Sequence, residues 1–163
     1  MSSQQIKSIR IAKEIRQLNS GIEQHGISCV ANDDCLTVEF SGPKGSLFED
    51  ERFNLLVTFD EKYPFTPPRL KLKTPIYHPN IDKGGLICLN ILRMPPTGTY
   101  NPTMTVESIL LSVQLLLSSP NPHDPLRSDA ASDYLLNKEI YDEKVRKQIE
   151  ENRKSSLVDQ INT

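Results

Sequence analysis

Paired cysteines are missing from this sequence. Its 163 residues hold three cysteines, Cys29, Cys35 and Cys88, an odd number with no Cys-x-x-Cys. Neither a disulfide framework nor a structural zinc site is suggested, and free thiols in a reducing compartment fit better. A basic excess is missing too: Lys and Arg number 19 against 21 Asp and Glu, a formal net charge of -2. General nucleic-acid binding needs a basic face that displaces phosphate counterions, so no direct nucleic-acid contact is expected. No apolar run approaches the ~20 residues of a membrane span, and Met1 to Gln5 lacks the basic and apolar regions of a signal peptide. Ser2 stands where myristoylation requires glycine. No membrane association is expected, and the protein is expected in the cytoplasm and nucleus. Proline is absent from both ends, all 12 lying between Pro43 and Pro125, so helices are expected to frame a stiff, irregular middle. The length suits one globular core, taken as residues 3–154, with a tail at 155–163.

Near the N-terminus Ser2 and Gln5 have capping-box spacing, and Ile11, Ala12, Ile15 and Leu18 recur at helical intervals, which predicts an amphipathic helix over about 3–19. Lys7, Arg10, Lys13 and Arg16 repeat every third residue and predict a basic stripe on its solvent side, either merely solvated or a docking face for an acidic partner. From Ile27 the period changes to two. Leu36, Val38, Phe40, then Phe53, Leu55, Val57, Phe59, then Leu70, Leu72 alternate with polar residues, and Ile27–Ala31 makes a first strand that turns at Asn32-Asp33-Asp34. Short connections favour an antiparallel meander with one wet face. Tyr63-Pro64-Phe65-Thr66-Pro67-Pro68 reads as a rigid turn that either presents Phe65 outward or buries it. Thr105 caps a helix carrying Val106, Ile109, Leu110, Val113, Leu116 and Leu117, which Pro120 stops. Pro120 to Leu126 forms a second proline-locked loop that frames Asp124, a short helix spans Ser128–Leu136, a last one runs from about Asn137 to Lys154, and Ser155–Thr163 frays. The fold class is α+β: an N-terminal helix, a four-stranded antiparallel meander sheet and helices packed on one side.

The densest chemistry lies in Tyr77 to Leu92, where short apolar flanks brace Cys88. A Cys-His hydrolase needs an imidazole within reach of the thiol, from His25, His78 or His123, but no hydrolase signature surrounds Cys88 and His78 sits in His-Pro-Asn, where a ring most often braces a turn. A metal site built on His78 and Cys88 lacks further ligands. The third class is acyl transfer through a thioester. It asks for a donor to the tetrahedral oxyanion, for which Asn80 is a candidate, and for a carboxylate such as Asp124 to orient the attacking lysine or take its proton.

These residues carry a resemblance. Tyr77-His78-Pro79-Asn80-Ile81, three residues, then Gly85-Leu86-Ile87-Cys88-Leu89 is similar to the active-site signature of the ubiquitin-conjugating enzymes, and Tyr63-Pro64-Phe65-x-Pro67-Pro68 and Pro120-Asn121-Pro122-x-Asp124-Pro125-Leu126 are further landmarks of that family in their expected order. The resemblance covers roughly Ile6 to Glu151. It implies that Cys88 accepts ubiquitin as a thioester from the activating enzyme and passes it to a lysine of a protein substrate, without a cofactor or metal. It further implies that Asn80 supports the oxyanion, the active-site loop or both, that Asp124 positions the lysine, and that His78 and Pro79 are structural. Lys7, Arg10 and Lys13 would meet the activating enzyme or a ligase, and Phe65, Tyr100 and Pro102 a RING-type ligase. Met94-Pro95-Pro96-Thr97-Gly98 lengthens the stretch after the cysteine as in the T-type members of the Fanconi anaemia crosslink-repair pathway, which implies monoubiquitination. Asn90 replaces an acid common two residues after the cysteine, so gating there would be by hydrogen bond, and Asp50-Glu51 replaces a glycine-rich turn. A ubiquitin-like modifier, or a non-catalytic ubiquitin-binding scaffold, is the alternative.

Overall fold

The structure, a computed structural model, describes residues 1–21, 26–32 and 34–163. His25 and the Asp33 position of the expected turn lie outside the described residues. Helix α1 (Ser3–Ser20) is closed at its start by the capping box, with Ser2 Oγ accepting from Gln5 N–H at 3.3 Å and Gln5 Oε1 from Ser2 N–H at 2.8 Å. Its buried residues are Lys7, Ile11, Glu14 and Leu18, while Ala12 is exposed. The solvent-facing basic stripe is therefore corrected. Lys7 is only 3% exposed, with Nζ 3.0 Å from Asp34, and Arg10 is half-buried. Helical geometry explains this: each three-residue step falls about 60° short of a full turn, so four such residues wind about 180° around the helix. Lys13 and Arg16 alone of the four stay on the surface.

The sheet comprises β1 (Ile27–Asn32), β2 (Cys35–Ser41), β3 (Arg52–Thr58) and β4 (Arg69–Leu72), antiparallel in the order 1-2-3-4. Register puts Ile27 against Phe40 and Phe40 against Phe53, whose rings stack at 5.5 Å. The alternating residues Leu36, Val38, Phe40, Phe53, Leu55, Val57, Leu70 and Leu72 are all buried, because a period of two sends every second side chain to the same face. They share one core with Ile11 and Leu18 of α1 and with the apolar side of α2 (Val106–Ser118), where Val106, Ile109, Leu110, Val113, Leu116 and Leu117 are buried as their spacing predicts. Thr105 Oγ1 accepts from Ser108 N–H at 3.1 Å and starts that helix.

Helices α3 (Ser128–Leu136) and α4 (Lys138–Ile161) follow. The expected fraying from Ser155 is corrected, since α4 continues to Ile161. Asn152 Nδ2 donates to the Pro75 carbonyl at 2.8 Å and Arg153 pairs with Glu51, so the body holds the helix right up to its expected end and the backbone ladder carries it onward. The same Glu51 settles the β2–β3 connection. Its carbonyl accepts from Gly42 N–H at 2.8 Å, and a Cβ on Gly42 would fall 1.7 Å from the Phe48 oxygen, so the glycine this turn needs stands before Asp50.

Gly85 has φ +87°, and a Cβ there would lie 2.0 Å from the Leu72 carbonyl oxygen, the edge of β4. Leu72 N–H donates to the Gly85 carbonyl at 2.9 Å, so this close approach seats the segment before Cys88 against the sheet. Gly85→Ala is expected to cost about 3 kcal/mol in urea unfolding, from left-handed strain plus the clash. A loss under roughly 0.5 kcal/mol would contradict the close approach.

Candidate active site

Residues 77–92 are irregular, so their backbone is satisfied by short bridges rather than by a ladder. His78 pairs with Ile81, Ile81 with Ile87, and Lys71 of β4 with Leu86. Buried Ile81 and Ile87 anchor the segment from below. Cys88 follows at the surface, half-buried, its N–H donating to the Asn80 carbonyl at 3.0 Å. Two residues on, Asn90 begins a 3-10 turn (Asn90–Leu92); it is exposed, its side chain accepts from Arg93, and its carbonyl accepts from Arg93 N–H at 3.1 Å and Thr99 N–H at 2.9 Å. The proline-rich stretch after it closes on itself at Gly98, where a Cβ would meet the Arg93 oxygen at 2.2 Å.

The imidazole of His78 is fully buried. Nδ1 accepts from Asn80 N–H at 3.0 Å, which leaves Nε2 as the protonated nitrogen donating to the Leu116 carbonyl at 2.9 Å. Both ring nitrogens are thereby committed, and the ring cannot serve Cys88 as a base. Burial pushes its pKa down to about 4, against the opposing pull of the Leu116 bond. The unfolded ring titrates near 6.5, so below that pH the unfolded chain binds the extra proton and the fold loses stability until about pH 4, where the native ring protonates as well. Stability contributed by the neutral ring is thus complete above pH 6.5 and falls with acid. The unfolding free energy from urea titrations is expected to drop between pH 6.5 and 4, by at most ~3 kcal/mol from this group; a flat profile over that interval would remove the buried neutral assignment.

Asn80 is 2% exposed and ties two loops together. Its Nδ2 donates to the carbonyls of Asn121 (2.7 Å) and Asp124 (3.1 Å), and its Oδ1 accepts from Asn121 N–H (2.8 Å). The neighbouring Pro79 carbonyl accepts from Leu126 N–H at 2.9 Å and Arg127 N–H at 3.0 Å. Five hydrogen bonds thus clamp the Pro120–Arg127 loop to the Cys88 segment. Both amide protons of Asn80 are spent in that clamp, so the geometry favours the loop-holding half of its expected role over the oxyanion half. Asp124 is exposed at the rim, with His123 exposed beside it.

An open groove of about 560 Å³ lies at the thiol, its apolar lining drawn from Leu86, Ile87, Cys88, Leu89 and Leu92, from Pro67, Pro68 and Leu70, and from Leu126. Its cations are Arg69 and Arg93. The mostly apolar walls and open mouth suit a peptide segment better than a small polar molecule.

The expected ligase-contact residues divide. Phe65 is 58% exposed, which settles the alternative that sequence leaves open. Tyr100 is 2% exposed, and its hydroxyl donates to the Pro64 carbonyl at 2.6 Å; as a surface contact it is corrected, since a ring under the Phe65 turn braces it from below. Pro102 is half-buried, its carbonyl taking an Arg10 N–H at 2.6 Å. Lys7 is corrected in the same way by its burial against Asp34. Sequence reasoning missed Arg127, which sits 4.5 Å over the Tyr77 ring, pairs with Asp129 at 3.0 Å and donates to the Ile76 carbonyl. It missed Glu14 too. An acid at a core spacing within α1 was the available signal.

Among the described residues no imidazole hydrogen-bonds to the Cys88 thiol, and no group of three His, Cys, Asp or Glu side chains could hold a metal ion. A braced thiol beside an open, mostly apolar groove is the arrangement that an acyl carrier needs. The comparisons with known proteins give the family: residues 10–149 match Ubiquitin-conjugating enzyme, and the chain belongs to it. It is 42% identical over 135 residues to ubiquitin-conjugating enzyme E2 T of Xenopus laevis, covering 81% of this chain and 70% of that protein. It is 38% identical over 138 residues to E2 T of Homo sapiens (83% and 70%) and 40% identical over 133 residues to E2 13 of Saccharomyces cerevisiae (80% and 84%). The protein is therefore an enzyme of ubiquitin conjugation, transferring ubiquitin through a cysteine thioester.

Proposed function

We propose that Cys88 is the acceptor thiol, that Asp124 orients the incoming lysine, and that a RING-type ligase docks at Phe65. The single observation that carries this reading is the half-buried thiol on the wall of an apolar groove, with both nitrogens of the neighbouring imidazole already bonded. In charging, Cys88 sulfur attacks the carbonyl carbon of the activating enzyme's thioester. The new S–C bond forms as the old one breaks, and the proton lost by Cys88 ends on the departing thiol. In transfer, a neutral lysine Nζ attacks that carbon, a C–N bond forms, and Cys88 thiolate leaves; the surplus proton on nitrogen passes to Asp124 or to water. The ubiquitin tail lies in the groove during both steps. The likeness to E2 T of Xenopus laevis and Homo sapiens supports the T-type subgroup that the lengthened Met94–Gly98 turn suggests, and on that subgroup rests the further proposal of monoubiquitination in DNA crosslink repair, in the nucleus as well as the cytoplasm.

Incubation with activating enzyme, ATP and ubiquitin tests the first part. A thiol-sensitive adduct on a non-reducing gel is the expected product, and its absence while a ubiquitin-like modifier charges instead would transfer the reading to that modifier. For the ligase part, Phe65→Ala is expected to charge normally yet lose at least about tenfold in RING-stimulated discharge, since an exposed aromatic at the centre of a contact is worth ~1.4 kcal/mol or more. RING stimulation equal to wild type would rule out docking there.

A further inference from the structure

Glu14 is an acid 1% exposed within the core-facing side of α1. Three donors from three parts of the chain converge on its carboxylate: Arg10 Nε at 2.5 Å, the Tyr63 hydroxyl at 3.2 Å and Val106 N–H at 2.8 Å. Arg10 spends its remaining nitrogens on the carbonyls of Pro102 and Met104, each at 2.6 Å. Tyr63 is itself buried and opens the turn whose Phe65 N–H donates back to the Lys62 carbonyl at 2.8 Å, so the position of Tyr63 sets that of Phe65. The Tyr100 hydroxyl then closes the circuit onto Pro64. Thus α1 reaches the 63–68 turn and the 100–106 turn through directional polar bonds on one buried carboxylate.

Apolar packing would let these turns slide by fractions of an ångström at little cost. Charge-assisted hydrogen bonds in a buried site do not, because each is directional and a displaced donor is left unpaired away from water. We propose that Glu14 is a positioning residue for ligase engagement: it fixes the spacing of the two turns so that Phe65 and the surface over Tyr100 form one preassembled contact. This rests on the proposed docking of a RING-type ligase at Phe65. Glu14 touches neither the groove nor Cys88, so its effect falls on ligase binding and leaves ligase-free chemistry alone.

The test uses the full chain charged with ubiquitin and a purified RING domain that accelerates wild-type discharge onto free lysine. For Glu14→Gln, whose amide turns an N–H towards one of the converging donors, the RING concentration giving half-maximal acceleration is expected to rise about tenfold or more; for Tyr63→Phe, which removes one hydroxyl, it should rise about threefold to fivefold. Acceleration at saturating RING domain and the ligase-free rate should stay within about twofold of wild type. Both variants losing thermal stability with an unchanged half-maximal concentration would reduce Glu14 to a folding element and overturn the proposal. Should Glu14→Gln not fold, Tyr63→Phe decides alone. Phe65→Ala separates the layers: if it responds like wild type, the docking reading falls and the inference with it, whereas if it loses the response while the Glu14 and Tyr63 variants keep theirs, only the inference falls.

Discussion

Cys88→Ala is expected to lose ubiquitin charging completely, while its thermal unfolding stays within about 1 kcal/mol of wild type. The methyl group keeps the backbone and the N–H bond to the Asn80 carbonyl, and the site is only half-buried, so little packing is lost. What disappears is the one thiol among the described residues that line the groove. Cys88→Ser sharpens the test. A hydroxyl with no base beside it is scarcely ionised at neutral pH and makes an ester whose oxygen is a poorer leaving group than sulfur. Slow formation of an adduct that survives thiol treatment and hardly discharges is the expected behaviour. Charging of the alanine variant at Cys29 or Cys35 would remove Cys88 from its role.

Asn80→Ala is expected to combine a loss of about 3 kcal/mol in stability with a fall of roughly 100-fold in discharge onto lysine. For a chain of this length that stability loss lowers Tm by about 6–12 °C. The two effects have one origin. Alanine leaves Asn121 N–H and the Asp124 carbonyl without partners, leaves the Asn121 carbonyl only its 3.4 Å bond from Asp124 N–H, and removes three of the five bonds that clamp the loop carrying Asp124 to the Cys88 segment. Were Asn80 only an oxyanion donor, discharge would fall by a similar factor with Tm unchanged, because an oxyanion exists only in the transition state. Measuring Tm and single-turnover discharge on the same preparation distinguishes these cases. Asn80→Asp adds a check, since a carboxylate keeps an acceptor for Asn121 N–H but faces two carbonyls with no proton to give.

Much of the architecture was legible in local pattern. The two-residue alternation from Leu36 to Leu72 fixed which face of each strand is buried, and Ser2 with Gln5 marked the start of α1 to the residue. Patterns that depend on partners distant in sequence misled. Lys7, Arg10, Lys13 and Arg16 look equivalent along the chain, yet Lys7 meets Asp34 and Arg10 meets carbonyls at Pro102 and Met104, so only folding separates them. Tyr100 has the composition of a contact residue and the environment of a brace. In the site, the spacing from His78 to Cys88 announced the chemistry, while the commitment of Asn80 to Asn121 and Asp124 spans more than forty residues and left no local trace.

The sequence by itself determined which thiol stands on a braced segment, the period of every strand and helix around it, and the family to which the chain belongs. Each of these rests on interactions between neighbours in the chain: caps, alternation, and glycine or proline geometry. Tertiary structure alone decided which polar side chains face solvent and which are locked inside. It made Asn80 the clamp between two loops, turned His78 into a neutral strut, and drew two turns onto the buried carboxylate of Glu14. Burial is a property of what packs across the chain, and a charged group withdrawn from water must find its partners wherever the fold brings them.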